Sequence, residues 1–155
     1  MLRRRIGTGL TGLLSAGIIT IGAGYVRGAH SMIDGFGLPG WDEAPEPAYW
    51  VKGFRDISSG LVPLALLALG QRRALGWVLV AEALVPVGDL TTVLTHGGSR
   101  RAALGIHGLT AATMLATAGL ILTEDGQRVG SRLPRAQTMR SRRTGTRATP
   151  RGASR

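Results

Sequence analysis

The stretch ALGWVLVAEALVPVGDLTTVLT, residues 74–95, is 22 residues long and carries only two charges, Glu82 and Asp89. As a helix rising ~1.5 Å per residue it would reach roughly 33 Å, enough for the ~30 Å hydrocarbon core of a bilayer. Glu82, Pro86 and Asp89 stand at i, i+4 and i+7, so both carboxylates fall on one helix face. Pro86 has no N–H and leaves the carbonyl of Glu82 without its helical donor, a spare acceptor on that same face. A water-facing helix would need a polar face, and this one has only a polar stripe.

Three further stretches read the same way. Residues 6–26 are uncharged and follow a basic start, Arg3-Arg4-Arg5. The apolar run exceeds the ~7–15 residues of a signal-peptide core, which favours a retained helix over a cleaved signal. Residues 102–123 form another run of 22, with His107 as the one side chain there able to take a charge. The remaining run, about 53–70, has an uncharged core of 57–70 that is too short to span alone. It becomes long enough only if Arg55 and Asp56 lie inside its first turns.

Between the first two runs, residues 27–52 read as a loop: Gly35, Gly37, Pro39, Gly40, Pro45 and Pro47 break helix and strand alike. Trp41, Tyr49 and Trp50 near its end suit a membrane–water boundary. From Glu124 the chain turns to Arg, Ser, Thr, Gly and Pro, too polar to fold, and is expected to be a disordered tail. The formal charge of +10 is mostly that tail, since residues 128–155 hold nine Arg and no acid. The expectation is an all-α protein, a four-helix transmembrane bundle over residues 1–123 with a disordered Arg-rich tail over 124–155.

Short-loop Arg counts place Arg3–Arg5, Arg72, Arg73 and the tail on the cytoplasmic side, with both termini inside an inner (plasma) membrane; Arg100 and Arg101 count against this. The short turns at 71–73 and 96–101 make successive helices antiparallel. For packing, Thr8, Gly12, Ala16, Thr20 and Gly24 form a stripe of small residues at strict four-residue spacing, and Gly108, Ala112 and Ala116 form another. Such stripes let helix backbones approach closely, either within the bundle or along a homo-oligomer seam.

Ionisable groups at membrane depth are expensive, ~2.5–3.5 kcal/mol for Arg or Asp at a helix centre, and persist where they pair, face a cavity or work. In the antiparallel arrangement Asp89 and His107 each lie roughly 9–11 Å below the surface that carries the acidic loop. Arg55 and Asp56 come close to the same layer. Pro63 frees the carbonyl of Ser59 one turn beyond Arg55, as Pro86 does for Glu82. The candidate binding residues are therefore Arg55, Asp56, Ser59, Glu82, Asp89 and His107. One reading has Arg55 pair with Asp89 or Asp56 and simply pin the bundle. Another makes the layer a ligand pocket, since it holds more acids than one Arg neutralises. A proton or ion pathway is disfavoured by four short helices with no inverted repeat. The pair Asp89–His107 fits a general acid–base couple and equally a carboxylate orienting a structural His, so no catalytic residue is assigned.

Other chemistry finds little purchase. The absence of Cys excludes disulfides, thiolate nucleophiles, Fe–S clusters and Cys-ligated zinc. No two of His30, His96 and His107 have metal-ligand helical spacing, and no phosphate-binding Gly-Lys-Ser/Thr motif is present, so no metal or cofactor is expected. The partners expected are membrane lipids, an unidentified small molecule and a second copy of the chain. The Arg tail fits anionic headgroups better than nucleic acid, which is not an expected partner.

Gly53-Phe54-Arg55-Asp56 with Gly60 after it, Pro86-Val87-Gly88-Asp89, Ile106-His107-Gly108 and the loop Gly35-Phe36-Gly37-Leu38-Pro39 resemble the small integral membrane proteins grouped as domain of unknown function 4267. The resemblance covers about residues 6–122. It implies a four-helix membrane bundle similar in outline to the DoxX-type proteins, and implies no activity, substrate or cofactor. The functional expectation is a membrane protein binding a lipid or small molecule at the polar layer, or else an accessory or scaffold subunit in which that layer is structural.

Overall fold

The computed structural model describes residues 2–130, with side chains to Thr123. It is all-helical among the described residues. The elements are α1 (Leu2–Val26), α2 (His30–Asp34), α3 (Glu46–Ala68), α4 (Arg72–Glu82), α5 (Leu84–Thr95), α6 (Arg100–Ala102) and α7 (Leu109–Gly130), with a 3₁₀ turn at Trp41–Glu43 and a π-helical turn at Ala103–Gly108. The helices α4 and α5 form one rod broken at Ala83, and α6, the π turn and α7 form another. The break precedes Pro86 by one turn, where a helix loses a donor and meets the ring. Three helical stretches are long and apolar enough to cross a membrane: Leu2–Val26, Arg72–Thr95 and Arg100–Thr123. This is a multi-pass membrane protein.

Several boundaries differ from the expectation. α1 begins at Leu2 rather than Ile6, and α7 continues through Glu124 to Gly130, so the polar tail begins helically. The rest of the expected disordered tail lies outside the described residues. The largest difference is α3, which starts at Glu46, seven residues before the expected Gly53. Pro45 caps it and Pro47 sits in its first turn, where the missing N–H is one the helix does not use. Those prolines start the helix instead of breaking the chain, and Lys52, expected in the loop, stands in the helix.

The remaining loop is packed down. α2 brings Ile33 into a cluster with Tyr25 and Tyr49, and Phe36 packs with Val93 and Ala103. The Gly37 carbonyl accepts from the Ser99 N–H at 2.8 Å, joining the loop to the turn before α6. Gly37 has φ +81°, and a side chain there would collide with Ala102. Tyr49 Oη donates to the Trp41 carbonyl at 2.6 Å, fixing the start of α3 against the loop.

The helices meet through small residues, but not through the expected stripes. α1 buries Gly7, Thr11, Ser15, Gly22 and Tyr25. A Cβ on Gly22 would lie 2.6 Å from the Gly53 carbonyl oxygen, and one on Gly60 would lie 2.8 Å from the Ser15 carbonyl. Thr8, Ala16 and Thr20 are exposed, and Gly12 has open space beside it, so the packed stripe runs one residue ahead of the expected one. Ala112 and Ala116 also face outward, whereas Ala111, Met114, Ala118 and Ile121 are buried, the last three against Leu75, Leu79 and Ala83 of the α4–α5 rod. Gly24, against Met32, and Gly108, against Leu90, do make contacts.

Candidate functional site

On the buried face of α3, Tyr49, Lys52, Gly53, Asp56, Gly60 and Pro63 follow helical spacing. Lys52 and Asp56 are one turn apart, and Lys52 Nζ donates to Asp56 Oδ2 at 3.0 Å. The same ammonium donates to Asp89 Oδ2 on α5 at 3.2 Å. Arg55 closes the ring from the other side: its Nη2 lies 3.1 Å from Asp56 Oδ1 and 3.1 Å from Asp89 Oδ2. Two cations and two carboxylates thus bridge α3 and α5. Asp56 is almost fully buried, at 1% side-chain exposure, while Arg55 at 39% lies at the edge. At membrane depth such reciprocal neutralisation is what lets charges persist.

His107 joins from the fourth rod. Its Nδ1 is 4.0 Å from Asp89 Oδ2, and its Nε2 lies 3.1 Å from the Phe36 carbonyl, which accepts. The π turn carries His107, together with Ala103, on its buried side. π turns insert an extra residue and are frequent at functional sites. The Phe36 ring stacks edge-on to the imidazole, with centroids 5.1 Å apart. Lys52 Nζ also lies 4.9 Å from the Tyr25 ring centroid and 5.0 Å from that of Phe36, so both rings contribute to its stabilisation.

Arg55, Asp56, Asp89 and His107 therefore meet as the depth argument expects, and the pairing of Arg55 with both Asp56 and Asp89 is present. The charge argument needs correction. Lys52 supplies a second cation, so the layer itself is balanced and its acids alone do not require a ligand. Lys52 is invisible to a reading that ends the loop at residue 52. The usable signal is Pro47 followed by Lys52 and Asp56 at i, i+4.

Ser59 and Glu82 are not part of this ring. They line a cavity of about 220 Å³ beside it, together with Lys52, Asp56 and His107 at one end and mainly apolar side chains elsewhere. Pro63 and Pro86 line it as well. Among the described residues neither the Ser59 hydroxyl nor the Glu82 carboxylate has a hydrogen-bond or ion-pair partner. On the other side of the ring, Arg55, Asp89, Trp41 and Val51 face a separate groove, and Lys52 and Phe36 border both spaces.

Apolar spanning helices enclosing a charged ring and a mostly apolar chamber define a membrane protein with an internal polar site. The chain belongs to the family described as Domain of unknown function (DUF4267), whose model matches residues 15–121. That span contains the whole charged ring and also Ser59 and Glu82 of the cavity wall. No curated protein and no solved structure matches the chain.

Proposed function

We propose that this protein is a four-helix membrane protein that holds a small amphiphilic molecule, lipid-like or free, in the cavity between its helices. The observation that carries the reading is the cavity: about 220 Å³, apolar along most of its wall, with Lys52, Asp56 and His107 at one end. A ~150 Å³ apolar cavity accommodates benzene, so this one has room for a ring bearing a short polar arm. Such chambers between bundle helices are common ligand sites.

The reading makes α3 the fourth spanning helix. Its hydropathy is lowered by Lys52, Arg55 and Asp56, whose one excess positive charge is met by Asp89 of α5, while Trp50, Val51, Phe54, Leu61, Val62 and Leu69 are exposed along it as a lipid-facing surface would require. The orientation follows the Arg balance, with both termini cytoplasmic in the inner (plasma) membrane and the packed loop outside.

The test uses benzyl alcohol as probe on the purified chain in non-ionic detergent. It should raise the unfolding temperature saturably, and Val85→Phe, which places a ring in the cavity wall, should abolish the rise. A rise of the same size in Val85→Phe would count against the cavity as the site.

The second reading is a scaffold or accessory subunit with a purely structural layer, and the charge balance of Lys52, Arg55, Asp56 and Asp89 favours it. It expects no saturable probe binding in the unaltered chain.

A further inference from the structure

We propose that the molecule held in the cavity is a small lipophilic primary amine, with its ammonium paired to Glu82. The inference rests on the cavity reading above and adds the chemical class of the occupant. With the imidazole left aside, the cavity and ring together hold Lys52 and Arg55 against Asp56, Asp89 and Glu82. The ring's four charges cancel, and Glu82 is the remainder. It stands ten residues beyond Arg72 in the α4–α5 rod, roughly 15 Å along it and near mid-bilayer. A carboxylate at that depth that faces a cavity calls for a cation, and none of the described side chains supplies one.

The neighbouring groups match a donor-rich headgroup. Pro86 removes the N–H that the Glu82 carbonyl would receive, and the next N–H, that of Val87, goes to Ala83 at 3.2 Å. Pro63 does the same to the carbonyl of Ser59. Among the described residues the Ser59 hydroxyl is unengaged, whereas Thr110 and Thr117 turn theirs back to their own helix carbonyls at 2.7 Å. The wall therefore offers a carboxylate, a hydroxyl and helix carbonyls relieved of their donors. A primary ammonium has three N–H donors and no acceptor, the complementary set. A carboxylate or phosphate headgroup placed beside Glu82 would instead meet its charge repulsion. The apolar wall formed by Ile18, Ile21 and Met114 takes the hydrocarbon part.

Three probes of one shape separate the possibilities: benzylamine, benzyl alcohol and benzoate, titrated against the full chain in non-ionic detergent with empty micelles as the blank. Benzylamine should bind at least about tenfold more tightly than benzyl alcohol, the scale of one charge-assisted contact, and benzoate should be the weakest. Glu82→Gln should bring benzylamine down to the affinity of the alcohol. Equal binding of amine and alcohol to the unaltered chain overturns the amine assignment and leaves the cavity reading standing. Absence of saturable binding by all three overturns both. The amine-to-alcohol ratio needs no variant, so it decides the matter even where Glu82→Gln does not fold.

Discussion

Lys52 Nζ reaches Asp89 Oδ2 at 3.2 Å, joining α3 to α5 across 37 residues of sequence. With side-chain exposures of 9% and 13%, this contact is largely shielded. Lys52→Met leaves Asp56 and Asp89 sharing only Arg55, and should lower stability in detergent by ~3 kcal/mol or more, the scale for a stranded buried charge. Adding Asp89→Asn restores the balance and should recover over half of the loss. A denaturation cycle with strictly additive losses would show that the two residues do not couple.

Arg55 should matter less. It makes more hydrogen bonds to the carboxylates than Lys52 does, but its side chain is 39% exposed at the groove, where its charge is better solvated. Arg55→Leu is expected to lose about half as much stability as Lys52→Met in the same denaturation assay. A larger loss for Arg55→Leu would reverse this ranking.

How far the site could be read in advance turns on what each residue type signals. Arg55, Asp56, Asp89 and His107 stand out because charge is conspicuous in an apolar run, and antiparallel helices fix their depth. Lys52 is hidden by its setting. Pro45 and Pro47 read as breakers, and only their place at the helix start makes them compatible with it. The packing stripe is ambiguous for a different reason. Gly7, Thr11 and Ser15 are as small, at the same spacing, as Thr8, Gly12 and Ala16, so composition cannot choose between faces 100° apart. The π turn has no signature in the sequence at all. It carries His107 to Phe36 and Asp89, contacts made between elements far apart in the chain.

That register can be checked with two alanines. Gly22→Ala places a methyl 2.6 Å from the Gly53 carbonyl oxygen and 2.9 Å from the Ile57 amide nitrogen, both backbone, so α1 and α3 must separate. A loss of ~1–3 kcal/mol is expected. Gly12→Ala meets nothing within 4 Å and should be neutral or stabilising by up to ~1 kcal/mol, as for a helix-interior glycine. The expected stripe would give the opposite order.

For His107, the acceptor at Nε2 is the Phe36 carbonyl. Gln keeps an N–H donor of comparable reach, so His107→Gln should unfold within ~1 kcal/mol of the unaltered chain. His107→Leu leaves a buried carbonyl unpaired and should lose ~1–3 kcal/mol. Equal stability of the two variants would mean that the hydrogen bond contributes nothing measurable.

The passage of α3 through the membrane can be tested by labelling, since the chain has no Cys. Ala44→Cys, in the loop before α3, should react with an impermeant maleimide on intact cells. Gln71→Cys, in the exposed turn after α3, should react only after the cells are opened. Labelling of both on intact cells would remove α3 from the set of spanning helices.

The arrangement of the charged ring also bears on how the chain enters a bilayer. The Lys52–Asp56 and Arg55–Asp56 contacts lie within α3, so half of the ring exists as soon as that helix forms. The other half requires Asp89, which the ribosome delivers more than thirty residues later. Until then α3 carries an uncompensated positive charge, and Asp89 in α4–α5 would carry a negative one without its partners. Each is a poor substrate for lateral release from the translocation machinery, whereas the ring charges of the two together cancel. The ring thus favours delivery of α3 and the α4–α5 rod as a hairpin, with their biogenesis coupled by the same ion pairs that later hold the folded helices together.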